Sequence, residues 1–212
     1  MRYRSAAHTP VTYVIIAVNI LWFLAVELPR GLGAYGLVAS GACAPVLVTS
    51  GDWYRLLSAM FVHASPTHIV LNMISLWSLR MVEVWFGSAK YFVTYWLSGF
   101  IGFLLSTAIT SPMTVSAGAS GAIFGVFGAV LYMALRGILT KNVRNQLIFI
   151  LALNLVYDVV TPSVSLAGHV GGLVTGVMCA ALFVQRARMQ VNVIAICCGI
   201  LTAVALAFAY FG

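Results

Sequence analysis

The sequence predicts an all-α polytopic membrane protein, and three observations carry that prediction. Of the 212 residues, 62% are hydrophobic and 7% charged, where a soluble domain ordinarily has about 25% charged residues to cover its surface. The apolar residues fall in long runs and not at the helical or strand periods of a half-buried surface. Seven of those runs approach the ~20 residues a helix needs to cross the hydrocarbon core of a bilayer. They lie at 11–28, 66–82, 90–110, 118–135, 146–160, 165–184 and 191–211.

The first run is too long for the apolar part of a signal peptide, and no small-x-small cleavage site follows it closely, so it reads as a helix. With no long targeting segment ahead of it, the expected location is a prokaryotic plasma membrane. All but one of the connections are short, which favours a single bundle in which sequential helices are neighbours. The exception is 29–65, where Trp53, Tyr54 and Phe61 stand among Gly, Pro and Ser. Aromatic rings with polar edges favour the membrane interface, so an ordered interfacial loop is expected there. Cys43, Cys179, Cys197 and Cys198 form no C-x-x-C and mostly sit in apolar runs, where they read as small packing residues. No metal and no cofactor are expected. There is no internal repeat of the kind many secondary transporters carry.

The net charge of +7 orients the chain; it does not recruit nucleic acid. Seven spans put the termini on opposite sides. With the N-terminus inside, Arg2, Arg4, Arg80, Lys90, Arg136, Lys141, Arg144, Arg186 and Arg188 all fall on the cytoplasmic side, leaving Arg30 and Arg55 outside. That is the positive-inside distribution.

Strongly polar side chains inside a span are costly and are functional candidates by default. Four stand out: His68 and Asn72 near the start of the second run, Ser120 opening the fourth, and His169 near the start of the sixth. In the predicted topology these three spans run from outside to inside, so all four residues share a depth near the outer face. A residue four to six positions into a helix lies about 6 to 9 Å below its start, within reach of external water. In the sixth span Gly168, Gly172 and Gly176 repeat every four residues, and Gly172 and Gly176 share the face of His169. The fourth span has Gly121 and Gly125. Small-xxx-small stripes let backbones approach closely, so these two helices are expected to touch.

A lone serine in a span ordinarily bonds its own helix carbonyl, and a lone histidine divides between packing and function. Together they define chemistry. A serine hydroxyl is a poor nucleophile until a base accepts its proton, and a neutral imidazole in a partly apolar site can accept it. Ser120 is therefore the expected nucleophile and His169 its base. Of the four acids, Glu27, Asp52, Glu83 and Asp158, only Asp158 lies near the right depth, so a dyad is expected, with packing orienting the imidazole. His68 and Asn72, spaced i, i+4, can donate hydrogen bonds, and with the backbone N–H of Ser120 at a helix start they could hold an oxyanion. His63, just outside the second span, reads as structural or interfacial, and Glu83 as a pair with Arg80 at i+3.

On these residues the chain resembles the rhomboid family of intramembrane serine proteases over roughly residues 10–185. The nucleophile motif stands as Gly118-Ala119-Ser120-Gly121, the second-span motif as His63-x4-His68-x3-Asn72, and the base as Gly168-His169-Val170-Gly171-Gly172. Glu83 followed by Gly87 matches the end of the family's second helix. The resemblance implies a six-helix core at 11–185 behind a cytoplasmic tail at 1–10, with 186–212 as a linker and an added seventh helix. It implies Gly118 beside Ser120 in the oxyanion site and substrates that are single-pass or other transmembrane proteins. These would enter laterally near the fifth span and the loop around Pro162. Helix-breaking and small residues near the cut are then expected, because a helix hides its carbonyls. Two departures are visible: the family's Trp-Arg reads Tyr54-Arg55, with Trp53 one place earlier, and Phe124 stands where some members have a Tyr stacked on the histidine. Phe124 keeps the stacking and loses the phenol hydrogen bond. A non-catalytic binder or escort of transmembrane helices is the alternative reading, but binding alone requires none of the four polar residues. A small-molecule transporter comes third.

Overall fold

In a computed structural model of the chain, residues 8–160 and 165–184 are described, the side chains of 147 and 153–160 excepted. Pro162, Cys197, Cys198 and the expected seventh span lie outside the described residues, as does the side chain of Asp158. Every regular element among the described residues is helical. Helix α1 runs Pro10–Arg30, with Pro10 at its first position, where the missing N–H breaks no helical bond. The outer loop then holds three short helices, α2 Ala34–Ala39, α3 Pro45–Thr49 and α4 Arg55–Ser58. Helix α5 is Pro66–Phe86, α6 is Ser88–Ile109, α7 is Ser120–Leu135, α8 is Lys141–Val160 and α9 is Leu166–Val184.

Helices α1, α5, α6 and α9 are long and apolar enough to cross a membrane, and the chain is a polytopic helical membrane protein. Helix α7 is apolar but has 16 residues, or ~24 Å at ~1.5 Å per residue, against a hydrocarbon core of about 30 Å. It was expected from 118 and starts at Ser120, because Gly118 has φ +128°, outside the helical region. Helix α8 starts at Lys141, ahead of the expected 146. Its first turns carry Lys141, Asn142 and Arg144, good or tolerable helix residues that an apolar-run criterion passes over.

The outer loop is ordered by Arg55, which is 8% exposed. Its Nη1 donates to the carbonyls of Val38 and Ala42 at 2.8 and 2.9 Å, and its Nε to Asp52 at 2.8 Å. The planar guanidinium thus serves backbone oxygens that would otherwise lack donors. Tyr35 and Tyr54 stay exposed on this loop, consistent with an interfacial position.

The bundle's centre is the mutual packing of α6, α7 and α9. A Cβ on Gly172 would strike the Gly121 carbonyl, and one on Gly176 the Gly125 carbonyl. The two glycine stripes do face each other, and α6 joins through Gly102, packed against the Gly168 carbonyl. Lipid offers no hydrophobic drive for helix association, so such close backbone contact supplies dispersion and weak Cα–H···O attraction in its place.

The expected Glu83–Arg80 pair is not formed. The Arg80 guanidinium lies over the Trp77 ring at 3.9 Å and donates to the Trp77 carbonyl. Glu83, 1% exposed, accepts from the Val11 N–H (3.0 Å), the Thr12 N–H (2.9 Å) and the hydroxyls of Thr12 and Ser88 (both 2.7 Å). The start of α1 presents N–H groups with no intrahelical acceptor and a partial positive charge, which a carboxylate satisfies better than an i+3 cation at a wet surface. Glu83 thereby ties the C-terminal end of α5 to the start of α1.

Gly176→Val would force α9 away from α7. The expected result is a loss of about 1–3 kcal/mol or more from overpacking, read as a lower Tm in detergent, while Met178→Val, at a half-exposed position of the same helix, should change stability by less than about 0.5 kcal/mol.

Candidate active site

The α7–α9 contact sets Ser120, the first residue of α7, against His169, in the first turn of α9. The Ser120 Oγ and His169 Nε2 are 2.7 Å apart, a short hydrogen bond for such a pair. His169 is 5% exposed. The Phe124 ring, one turn along α7, lies nearly parallel to the imidazole at 4.1 Å and 12°, so the ring can rotate little. The start of α9 is fixed separately. Ser165 Oγ accepts the Gly168 N–H and donates to Ser106 Oγ on α6 at 2.7 Å, and the Ser165 carbonyl accepts the His169 N–H.

A cavity of about 50 Å³ opens beside this pair, walled by His68, Phe103, Ser116, Gly118, Ser120 and His169 among others. That is room for a few waters. His68 brings an imidazole to it from α5. The Ala64 N–H donates to His68 Nδ1 at 3.3 Å, so a neutral His68 carries its proton on Nε2. That edge faces Gly118: a Cβ there would come within 2.8 and 2.9 Å of His68 Cε1 and Nε2, and 3.6 Å of Ser120 Oγ. Gly118 is required twice, by its positive φ and by this imidazole. Its N–H donates to the Ala59 carbonyl at 2.9 Å.

Asn72 is brought near but is not part of the cavity wall; its Nδ2 donates to the His68 carbonyl at 3.1 Å. Gly172 and Gly176 act through the helix contact and do not line the cavity. His63 is fully buried and its Nδ1 donates to the Phe61 carbonyl at 3.2 Å. Burial first, and the neighbouring His68 second, push its imidazole down to about 3, so it is neutral at neutral pH.

Reading the sequence missed the residues that hold the loop ahead of Ser120. Cys43 and Ser116 exchange backbone hydrogen bonds of 2.9 and 2.8 Å, and the Val46 N–H donates to the Pro112 carbonyl. The Cys43 thiol contacts the Thr107 hydroxyl at 3.4 Å. Burial raises that thiol above its ordinary range, against the smaller opposing effects of Thr107 and Arg55, which leaves it a packing group. The outer loop and the segment 112–118 thus form one unit. No residue type announces a backbone pair of this kind.

An all-helical membrane bundle with a serine hydroxyl on an imidazole, at the start of a helix too short to span, is the class that this fold and site define. The Rhomboid domain family model matches residues 50–186. Rhomboid protease GluP of Bacillus subtilis is 35% identical over 205 residues, 95% of this chain and 40% of that protein. Putative rhomboid protease YdcA of the same organism is 32% identical over 66% of this chain and 71% of its own length, and Rhomboid-like protease 3 of Toxoplasma gondii 30% identical over 79% and 66%. The chain belongs to the rhomboid family. It spans less than half the length of GluP.

Gly118→Ala is expected to lower Tm by the equivalent of about 1–3 kcal/mol, the usual cost of a non-glycine residue at such a φ. Part of that loss should return in Gly118→Ala/His68→Ala, which removes the ring the new methyl meets; equal losses in both backgrounds would show that the imidazole does not constrain this position.

Proposed function

We propose that the chain is an intramembrane serine endopeptidase that hydrolyses peptide bonds in or near transmembrane helices of other membrane proteins. The observation that carries the reading is the 2.7 Å contact of Ser120 Oγ with His169 Nε2, made at the start of a helix of 16 residues. The names of the relatives support it: those three are called rhomboid or rhomboid-like proteases, one of them putatively.

The chemistry follows from the proton inventory. Neutral His169 with Nε2 as acceptor takes the Ser120 proton as Oγ attacks the scissile carbonyl. The negative charge that develops on the carbonyl oxygen meets the Ser120 backbone N–H, which has no intrahelical acceptor, and the His68 Nε2–H across Gly118. Asn72 belongs to the same group at one remove, because its amide holds the His68 carbonyl and retains a second N–H for an oxyanion. The imidazolium then protonates the leaving amine, and a water activated by the same ring releases the acyl group. Phe124 keeps the imidazole in plane, and Gly172 and Gly176 keep its helix against α7.

Water reaches this depth because α7 begins below the outer membrane surface. The positive-inside distribution supports a cytoplasmic N-terminus and basic inner loops, with the site open to the outer side. The catalytic core falls within residues 11–185, and substrates enter from lipid beside α8.

In liposomes, wild type is expected to cleave a single-span reporter, while Ser120→Ala and His169→Ala fall by at least about 10³-fold with Tm retained. Cleavage surviving Ser120→Ala would overturn the mechanism; a wild type inert on several reporters would favour the helix-binding reading.

A further inference from the structure

One buried carboxyl beside the site has no part in the reaction as described. Glu27 is 0% exposed at the outer end of α1, and the ion pair formed among the described residues, Arg55 with Asp52, does not involve it. A carboxyl in an apolar span with no cation is expensive to keep. Helix α1 goes out of its way to bury it. The buried residues of α1 are Thr12, Ile15, Asn19, Phe23 and Glu27. At about 100° per residue, Glu27 would stand ~60° round the helix from Thr12. The π-turn at Phe23–Glu27 winds more residues into a turn and returns Glu27 to the inward stripe; such turns recur at functional sites.

Inside, Glu27 Oε2 accepts the His63 backbone N–H at 2.6 Å, while Oε1 makes no hydrogen bond among the described residues. The carboxyl is therefore spent on one peptide group. That group opens the turn that configures His68. The next N–H, of Ala64, donates to His68 Nδ1 at 3.3 Å; Ser65 Oγ accepts the His68 N–H at 3.1 Å; and the His63 ring meets the His68 ring edge-on at 5.1 Å. At 3.3 Å the Ala64 N–H···Nδ1 bond is long, so its direction depends on how firmly the preceding peptide is held. On the far side the same segment is tied to the catalytic loop by the Gly118 N–H on the Ala59 carbonyl.

We propose that Glu27 is a positioning residue for His68: by holding the His63 peptide it aims the Ala64 N–H at His68 Nδ1, and so keeps the Nε2–H form of His68 directed at the oxyanion. The proposal rests on the reading of His68 as an oxyanion donor. Any side chain that can accept the His63 N–H at this length should serve, so the role needs an acceptor and not a charge.

The test is a kinetic double-mutant cycle in liposomes with a single-span reporter, using Glu27→Leu, His68→Ala and the pair. Glu27→Leu is expected to lower kcat about tenfold or more, with KM changed less than about twofold. In the His68→Ala background the same substitution should add nothing, since both act on one donor. Glu27→Gln, which keeps the acceptor, should stay within about threefold of wild type. Losses that multiply in the double variant, or a Glu27→Gln loss equal to that of Glu27→Leu, would overturn the proposal. His68→Ala with wild-type kcat would instead overturn the oxyanion reading beneath it. A measurement on the wild type stands apart from any folding defect: ¹⁵N-histidine spectra in liposomes should show His68 protonated at Nε2, and protonation at Nδ1 would sink the proposal.

Discussion

The backbone contact of α7 with α9 is the constraint on which the rest of the site depends. Where Gly172 meets the Gly121 carbonyl and Gly176 the Gly125 carbonyl, the helices lie closer than any side chain but hydrogen allows. At that separation a serine opening one helix and a histidine in the first turn of the other come within one hydrogen bond. A single methyl on either stripe moves Ser120 relative to His169, and in the proposed reaction a displacement of about 1 Å can cost on the order of 10²-fold in rate. The Phe124 ring, stacked on the imidazole at 4.1 Å, further limits the freedom of the His169 ring.

Around this kernel the protein places its buried acids as fasteners. Glu83 closes the start of α1 onto α5 through three hydrogen bonds and takes a fourth from Ser88 on α6, and Glu27 closes the far end of α1 onto the turn before α5. Both accept backbone N–H groups, which in a bilayer have no water to turn to. Arg55 does the converse for the outer loop by donating to carbonyls. Hydrogen bonds to main-chain groups offset part of the cost of burying these polar side chains in so apolar a chain.

Much of this was legible in the residues. Ser120, His68, Asn72 and His169 stood out because strongly polar groups are costly in an apolar run, and the glycine stripes identified which helices meet. Each of the first six apolar runs overlaps one of the described helices α1, α5, α6, α7, α8 and α9, and four of these are long and apolar enough to cross a membrane. What failed was local reasoning about charges. Glu83 was assigned to Arg80 because the two are three residues apart, whereas its partners Val11 and Thr12 are 72 and 71 residues away. Glu27 was counted and set aside for its depth. The start of α7 at Ser120, and not 118, turned on one positive φ at Gly118, and the early start of α8 on polar residues that are helical without being apolar. The bridge between Cys43 and Ser116 is a backbone matter and left no mark in side-chain chemistry.

The central claim is that Ser120 is a nucleophile activated by His169, and chemical trapping addresses it without knowledge of a substrate. The purified protein would be treated in liposomes with a small fluorophosphonate and the adduct located by mass spectrometry of its peptides. One phosphonyl group on Ser120, formed in wild type and lost in His169→Ala, is the expected result. Labelling spread over other serines, or equal labelling of Ser120 with His169 removed, would contradict the account.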